Sequence, residues 1–187
     1  MCGIVGYIGN SEDINMGMEA LRRLEYRGYD SAGIAVYSPE RREVSSVRAV
    51  GKIAELTGKL AGVQISGSPM LLHTRWATHG GVTEANAHPH ADCKKNIYVV
   101  HNGIIENYKQ LREKLIQHGH VFSSETDTEV VAHLIEYFFK GNLEDAVREA
   151  LKLVRGSYGL AVIARDDPEK IVAARVSSPL VLSVNEN

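Results

Sequence analysis

The second residue of the chain is a cysteine, and its place beside the amino terminus makes a catalytic role possible. Cys2 follows Met1 and begins the run CGIVGYIG, whose apolar residues and glycines are typical of a buried strand. A nucleophilic cysteine needs a base to take its proton, usually a histidine, and the sequence holds eight histidines. Once Met1 is removed, which a small second residue permits, the α-amino group of Cys2 offers another base, with an ordinary pKa of about 7.7–8.0. Two interpretations stay open: a core residue on a strand, or a nucleophile at the chain end.

Most of the histidines lie in or beside a polar stretch in the middle of the chain. Residues 77–95 show no apolar periodicity, and loops of this length in compact domains are usually functional or disordered. The pair in His88-Pro89-His90 could ligate zinc, with Cys93 as a third ligand. Three further histidines lie nearby: His73, His79 and His101. Because Cys93 has no partner cysteine and no acidic residue falls at a known zinc spacing, we expect loop polarity and hydrogen bonding to explain these histidines, and we expect no metal and no cofactor.

Two other polar positions have ordinary structural explanations. Asn102-Gly103 ends a predicted strand, and Asn-Gly is a common hairpin turn. The stretch Thr126 to Glu129 matches a capping box, in which the threonine hydroxyl and the glutamate satisfy free backbone donors. That interpretation places Asp127 in the first turn of a helix, where the helix dipole favours a carboxylate.

The elements that must position these residues are strands at both ends of the chain and helices between them. Apolar spacing predicts helices at 13–27, 53–60, 108–116, behind the capping box at 130–138, and at 143–154 with Asn142 as N-cap. Strands are predicted at 2–8, 34–37, 44–50, 70–74, 97–100, 121–122, 158–164, 171–176 and 180–184. This order predicts a layered α+β fold.

Composition excludes several classes of protein. The 187 residues suffice for one domain with a real core, and the net charge of −2 argues against a broad nucleic-acid footprint. No apolar run approaches the length of about 20 residues that a bilayer requires. With only two cysteines, a disulfide scaffold is not expected and a reducing cytoplasm fits best. A strand that ends the chain abruptly predicts that the sequence is one piece of a larger protein.

Several motifs together resemble a known family. They are CGIVGYIG, LEYRGYDSAGIAV, HTRWATHG, NAHPH, HNGIIEN and SETDTEVVAHLI. In this order they resemble the class II glutamine amidotransferases, and within them the branch whose acceptor is fructose 6-phosphate. The opening CGIVG alone is shared with amidophosphoribosyltransferase, asparagine synthetase and glutamate synthase, whereas EYRGYDSAGIA with HTRWATHG is specific to the sugar-phosphate branch. The resemblance runs from Cys2 through Pro179.

The resemblance implies a fold and a nucleophile. The fold is the Ntn-hydrolase fold, in which two stacked antiparallel sheets lie between helical layers (αββα). Cys2 is then the nucleophile that attacks the side-chain amide of glutamine, forming a γ-glutamyl thioester. The side-chain amide of Asn102 and the backbone N–H of Gly103 match the donors to the oxyanion, and Arg27 matches a position near the thiol.

The resemblance also implies residues that bind glutamine. Arg75 matches the ligand of the α-carboxylate, a task that suits the two-point geometry of a guanidinium group. Thr78 and His79 match neighbouring contacts to the same carboxylate. Trp76 is expected to shape the pocket or its gate, and Asp127 matches the partner of the α-ammonium group.

The resemblance finally implies partners. In the family the released ammonia passes to a C-terminal sugar-phosphate isomerase domain that binds fructose 6-phosphate, and that domain lies outside these residues. The glutaminase domain normally continues for several strands past the equivalent of Val184, so residues 1–187 are expected to be incomplete at their carboxyl end. Glutamine is the expected ligand, with no nucleic acid and no membrane, and an oligomer is possible. The alternative is a catalytically silent module that binds glutamine or serves only as a structural fragment.

Overall fold

The structure is a computed structural model that describes residues 2–77 and 80–184. Its strands are β1 (Gly3–Tyr7), β2 (Ser31–Ser38), β3 (Glu43–Val50), β4 (Met70–Arg75), β5 (His90–Ala91), β6 (Ile97–Ile105), β7 (Gly156–Ala164) and β8 (Asp167–Val176). Its helices are α1 (Ile14–Arg22), α2 (Ile53–Leu60), α3 (Tyr108–Gln117), α4 (Glu129–Phe138) and α5 (Leu143–Leu151), with a short 3-10 helix at Glu25–Arg27.

The strands form two antiparallel sheets of four strands each. The first has the order β1-β4-β2-β3 and the second the order β5-β6-β7-β8. In the first sheet Gly3 lies opposite Thr74, so the start of β1 reaches the end of β4. In the second sheet Asn102 lies opposite Gly159. Every pair of adjacent strands in the two sheets is antiparallel, which agrees with the α+β prediction.

Three apolar cores separate four layers. Leu71 on β4 and Val100 on β6 belong to a core between the two sheets. Leu21 and Leu56, on α1 and α2, pack on the outer face of the first sheet. The second sheet is covered on its outer face by α3, α4 and α5, through side chains such as Ile135. This arrangement is the αββα stack that the resemblance implied, and the prediction of fold class is confirmed.

Several predicted elements agree with the structure. The helix at 53–60 has the predicted bounds, and α5 begins at Leu143 with the Asn142 side chain accepting from the Asp145 backbone N–H at 3.0 Å. The helix predicted at 13–27 is shorter, because α1 ends at Arg22 and a separate 3-10 helix follows. None of the helices in the described part of the chain has the length and apolar character needed to span a bilayer.

The predicted strand at 180–184 is wrong. Residues 179–184 have no regular secondary structure, and three apolar side chains there are 79–89% exposed: Val181, Leu182 and Val184. A strand needs a neighbour for its backbone N–H and C=O groups, and within residues 2–77 and 80–184 no strand pairs with this segment. The strand predicted at 121–122 is also absent, and Phe122 instead packs its ring against His133 with centroids 4.4 Å apart.

The predicted capping box is wrong as well. Helix α4 begins at Glu129 with Thr128 as its N-cap, so Asp127 lies before the helix instead of in its first turn. The Glu129 carboxylate turns to the preceding loop, where it accepts hydrogen bonds from the backbone N–H and the hydroxyl of Ser123 and of Ser124 at 2.6–2.7 Å. Four donors from two serines outcompete the single backbone donor that a capping box offers.

Candidate active site

Cys2 is held where the edge strand β1 meets the end of β4. Because Gly3 pairs with Thr74, Cys2 lies beside Trp76, which follows directly on β4. The Cys2 Sγ lies 3.2 Å from the Trp76 backbone nitrogen, whose N–H donates to it, and 3.6 Å from the Trp76 carbonyl oxygen. The backbone of Gly28 packs directly against the Arg75 carbonyl group. A Cβ atom at residue 28 would lie 2.7 Å from the Arg75 carbonyl carbon, so a side chain would not fit there. The cysteine thus sits on a rigid strand end next to the chain terminus.

The surroundings of Cys2 favour the protonated form of its thiol. Burial raises the pKa of the Cys2 thiol above its ordinary value, and the Trp76 N–H and the Arg75 charge oppose only part of that rise. Among the described residues, the hydrogen bonds of Cys2 Sγ go to the Trp76 backbone and to no histidine. Buried His73 is a poor base too, because burial lowers its pKa to about 3. Cys2 therefore belongs to no Cys–His pair within the described part of the chain.

Asn102 places an oriented amide beside Cys2. Its Nδ2 donates to the Cys2 carbonyl oxygen at 3.0 Å, and its Oδ1 lies 2.9 Å from Nε2 of His73. The same His73 nitrogen lies 3.2 Å from the carbonyl oxygen of His101. Both partners of Nε2 are acceptors, so Nε2 must carry the proton, and this fixes which way the Asn102 amide faces. Nδ2 has a second N–H that can serve a ligand.

Gly103 follows Asn102 at the exposed end of β6. It has a φ of +137°, and a Cβ atom there would lie 2.0 Å from the Ser157 carbonyl oxygen on the neighbouring strand. Only glycine fits this position without moving the backbone. The turn interpretation is wrong for Asn102-Gly103, because β6 continues to Ile105 and pairs throughout with β7.

Arg27 and Asp30 form hydrogen bonds to the two backbone segments beside the thiol, at Cys2 and at residues 75–77. Arg27 Nε donates to the Cys2 carbonyl oxygen at 3.3 Å, so this side chain contacts the peptide of Cys2. The Asp30 carboxylate accepts from the Ala77 N–H, and the Asp30 N–H donates to the Arg75 carbonyl oxygen at 3.1 Å. Sequence reasoning did not single out Asp30, although the motif EYRGYDSAGIA contains it.

Two of the residues expected to bind a substrate, Arg75 and Trp76, lie at this strand end. Arg75 is 3% exposed, and its Nη1 donates to the Gly81 carbonyl oxygen at 3.3 Å. Trp76 is 47% exposed and packs edge-on against Tyr29, with ring centroids 5.2 Å apart. Thr78 and His79 lie outside the described residues.

Asp127 is buried behind the end of β6. It is 4% exposed, and its Oδ2 accepts from the backbone N–H of Ile105 at 2.8 Å. Its second oxygen, Oδ1, accepts no hydrogen bond from the described residues. Ile105 is two residues from Gly103, so the carboxylate is anchored to the strand that carries the amide donors.

A row of buried histidines joins Asn102 to the segment around Asp127. The rings of His73 and His88 stack with centroids 4.1 Å apart. Nε2 of His88 and Nδ1 of His101 both contact the Thr128 hydroxyl, at 3.0 and 2.8 Å. Burial lowers the pKa of His88 well below its ordinary value. The expectation that these histidines serve hydrogen bonding agrees with these contacts.

Cys93 does not join the histidines with which the sequence grouped it. Its Sγ lies instead near His120 and His133, at 3.9 and 3.5 Å from their Nδ1 atoms. His90 contacts the Thr126 hydroxyl at 3.0 Å. The zinc grouping of His88, His90 and Cys93, which was considered and not expected, does not form.

The site as a whole combines a thiol at a chain end with an oriented amide donor, a glycine backbone and two buried charges of opposite sign. A thiol can attack a carbonyl carbon, an amide N–H can hold the oxyanion that forms, and the charges can hold a zwitterion. This set suits acyl transfer from an amino-acid amide, and none of these steps needs a cofactor.

Comparisons with known proteins agree with this geometry. A family model described as a glutamine amidotransferase domain matches residues 73–185, more than half of the chain. The chain is 52% identical over 186 residues to glutamine--fructose-6-phosphate aminotransferase (isomerizing) of Thermus thermophilus, and 50% identical over 188 residues to the protein of that name from Thermococcus kodakarensis. Both matches cover 100% of this chain but only 30% and 31% of the relatives, so the chain spans about a third of their length.

Solved structures show the same fold. The glutamine phosphoribosylpyrophosphate amidotransferase from B. subtilis, 25% identical, superposes with a TM-score of 0.73 over 88% of this chain and 35% of that chain. A structure described as the allosteric regulatory enzyme of purine biosynthesis, 27% identical, gives a TM-score of 0.77 over 94% of this chain and 37% of that chain.

Proposed function

Because the chain belongs to the glutamine amidotransferase family, we propose that it hydrolyses the side-chain amide of glutamine to glutamate and ammonia. The observation that carries the proposal is the contact between Asn102 Nδ2 and the Cys2 carbonyl oxygen at 3.0 Å. It joins the backbone of Cys2, at the start of one sheet, to an amide donor in the other sheet, although the two residues are far apart in the sequence. Because Nδ2 keeps a second N–H, this contact leaves an oriented donor next to the residue that carries the thiol.

In the proposed reaction the free α-amino group of Cys2 takes the thiol proton, and Sγ attacks the amide carbon of glutamine. The C=O electron pair moves to oxygen, where the second N–H of Asn102 and the N–H of Gly103 hold the resulting oxyanion. Collapse of this intermediate breaks the C–N bond, and the α-ammonium group returns its proton to the departing nitrogen, which leaves as ammonia. Water then attacks the γ-glutamyl thioester, releasing glutamate and restoring the thiol.

The amino-acid end of glutamine would be held by charge. We propose that Arg75 binds the α-carboxylate with Thr78 and His79, and that Asp127 binds the α-ammonium through Oδ1. The burial of both charges supports this assignment, because a charge-assisted hydrogen bond gains strength where water is excluded. The exposed face of Trp76, backed by Tyr29, would form the wall of the pocket.

For the whole protein we propose the activity in the name of its relatives. In a protein of their length, the ammonia would be used to convert fructose 6-phosphate to glucosamine 6-phosphate on a C-terminal isomerase domain, and residues 1–187 would be the glutaminase part. The identity of about half over the full chain supports this proposal. A cytoplasmic location belongs to it too, supported by two cysteines that form no disulfide.

The direct test is a glutaminase assay on the purified chain. We expect glutamate and ammonia in equal amounts from glutamine, and no ammonia from asparagine, whose amide is one methylene too close to the charged groups to reach Cys2. Binding of glutamine by calorimetry with no ammonia release would contradict the proposal and favour a silent binding module. Absence of both would leave a structural fragment.

The substitution Arg75→Lys should raise the KM for glutamine about 10–100-fold, which corresponds to the loss of one charged hydrogen bond of about 1.5–3 kcal/mol. Lysine keeps the charge but cannot form the planar two-point pair with a carboxylate. Steady-state kinetics measure the effect, and Arg22→Lys on the exposed face of α1 is the matched control. An unaltered KM in a variant that melts like the parent would exclude Arg75 from glutamine binding.

A further inference from the structure

Four side chains of ligand type converge beside helix α4, outside the site described above. Cys93 lies in the loop between β5 and β6, and His120 follows α3. His133 and Glu136 are three residues apart on α4, a spacing that places them on one face of the helix. One ligand atom from each of the four lies within 4.8 Å of all the others.

Four of the six distances between these atoms lie close to the edge lengths of a tetrahedron around zinc. Sγ of Cys93 lies 3.9 Å from Nδ1 of His120 and 3.5 Å from Nδ1 of His133. Oε2 of Glu136 lies 3.0 Å from Nδ1 of His120 and 3.5 Å from Nδ1 of His133. Zinc–ligand distances of about 2.0–2.3 Å in a regular tetrahedron place the ligand atoms about 3.3–3.8 Å apart. The four distances fall within about 0.3 Å of that range, and the other two pairs lie within 4.8 Å.

The donor set suits zinc in type and in charge. Thiolate, imidazole and carboxylate are its ordinary protein ligands, and structural sites use four of them. One thiolate and one carboxylate with two neutral imidazoles cancel the charge of a divalent cation. The side chains of His133, Glu136 and His120 are 1%, 9% and 11% exposed, whereas Cys93 is exposed and leaves a path for the ion.

Polar groups lie around the four side chains, and Nε2 of His133 is buried without a hydrogen bond to a described residue. Nε2 of His133 faces Oε1 of Glu129 at 3.6 Å, and Glu129 is itself fixed by the serine contacts described above. The Val121 N–H donates to Cys93 Sγ at 3.3 Å, as a thiolate ligand would accept. Lys94 Nζ lies 3.5 Å from Oε1 of Glu136, the oxygen that does not face the cluster.

We propose that Cys93, His120, His133 and Glu136 form a structural zinc site that ties the β5–β6 loop and the segment after α3 to helix α4. The site departs from the expectation of no metal, which had considered Cys93 only with His88 and His90. The ordinary alternative is a metal-free ion pair between His120 and Glu136, 3.0 Å apart. The zinc site requires the Cys93 thiol as a ligand, whereas the ion pair does not involve it.

The test is metal binding by the purified chain after removal of metal with a chelator. We expect one Zn²⁺ per chain in competition with a chromophoric chelator, and a Co²⁺ complex with a thiolate-to-metal charge-transfer band and the intense visible bands of a tetrahedral site. Cys93→Ser should abolish the charge-transfer band, and His120→Ala should weaken Zn²⁺ binding at least about 100-fold, the upper end of the loss seen for outer contacts. His118→Ala, two residues from His120 and exposed, is the matched control and should bind as the parent does.

Folding is checked in the same samples. The melting temperature of the parent should rise with added Zn²⁺, because a ligand that binds only the folded state stabilises it. The Cys93→Ser and His120→Ala variants should melt like the metal-free parent and gain little from Zn²⁺. A parent that binds no Zn²⁺, a Co²⁺ spectrum without the thiolate band, or equal binding in Cys93→Ser would overturn the proposal.

Discussion

Replacing Cys2 with alanine should reduce the rate of ammonia release from glutamine by at least about 10³-fold, since the variant has no nucleophile to form the thioester. The β1–β4 pairing that places residue 2 depends on backbone hydrogen bonds, and the Cys2 carbonyl oxygen keeps its contacts with Arg27 and Asn102 in the variant. The loss should therefore appear in kcat, with the fold and glutamine binding retained. Initial rates of glutamate and ammonia formation measure it.

Two controls make this result specific to chemistry. The near-ultraviolet circular dichroism and the melting temperature of Cys2→Ala should match those of the parent, and calorimetry should still detect glutamine. A variant that folds normally and releases ammonia at the parent rate would remove Cys2 from the mechanism.

Replacing Asn102 with alanine should lower kcat for glutamine hydrolysis about 10²–10³-fold, a barrier increase of about 2.7–4 kcal/mol, with KM little changed. The amide is held by His73 on one side and by the Cys2 carbonyl oxygen on the other, so it is oriented before the oxyanion forms. A donor of this kind acts on charge that develops during the reaction, which is why the effect belongs to kcat.

The matched control is Asn15→Ala, an exposed asparagine on α1 far from the thiol in the fold. It should leave kcat and KM at the parent values. An Asn102→Ala protein whose KM rises while its kcat is unchanged would assign Asn102 to substrate binding and contradict its role toward the oxyanion.

Local pattern and the family motifs predicted much of the fold and the identity of the candidate site. Apolar spacing located α2 and the start of α5, because each buries one face and, at α5, begins at a side-chain cap. Composition and element order gave the α+β class, but the stacking of two sheets came only from the resemblance. Contacts across the central core, such as Leu71 with the β6 residues, join segments whose distance in sequence leaves no local signal.

The contacts that orient the site could not be predicted for the same reason. The hydrogen bond from His73 to Asn102 joins β4 of one sheet to β6 of the other, and Asp30 reaches the backbone of Ala77 across a loop. The sequence around His73 and the sequence around Asp30 do not indicate which residue each one contacts. Both nevertheless lie inside the motifs that carry the family resemblance, and this position was the available signal.

The wrong predictions have a common physical cause. Each rested on a local sequence pattern and left out the contacts that residues elsewhere in the chain would offer or withhold. Glu129 matched a capping box, but two serines upstream supplied more donors. The apolar run at 180–184 matched a buried strand, but its backbone has no partner among the described residues. The zinc grouping that was considered and set aside likewise took histidines near Cys93 in sequence, whereas the fold places Cys93 beside His120 and His133.

The central claim is that Cys2, with its own free amine, is the nucleophile toward glutamine. The most direct test is the intact mass of the purified protein before and after incubation with a diazoketone analogue of glutamine. The account predicts a starting mass lower than the full sequence by one methionine, and then a single stoichiometric adduct that peptide mapping places on Cys2. A protein that keeps Met1 and gains no adduct, or one that is labelled on Cys93 instead, would contradict it.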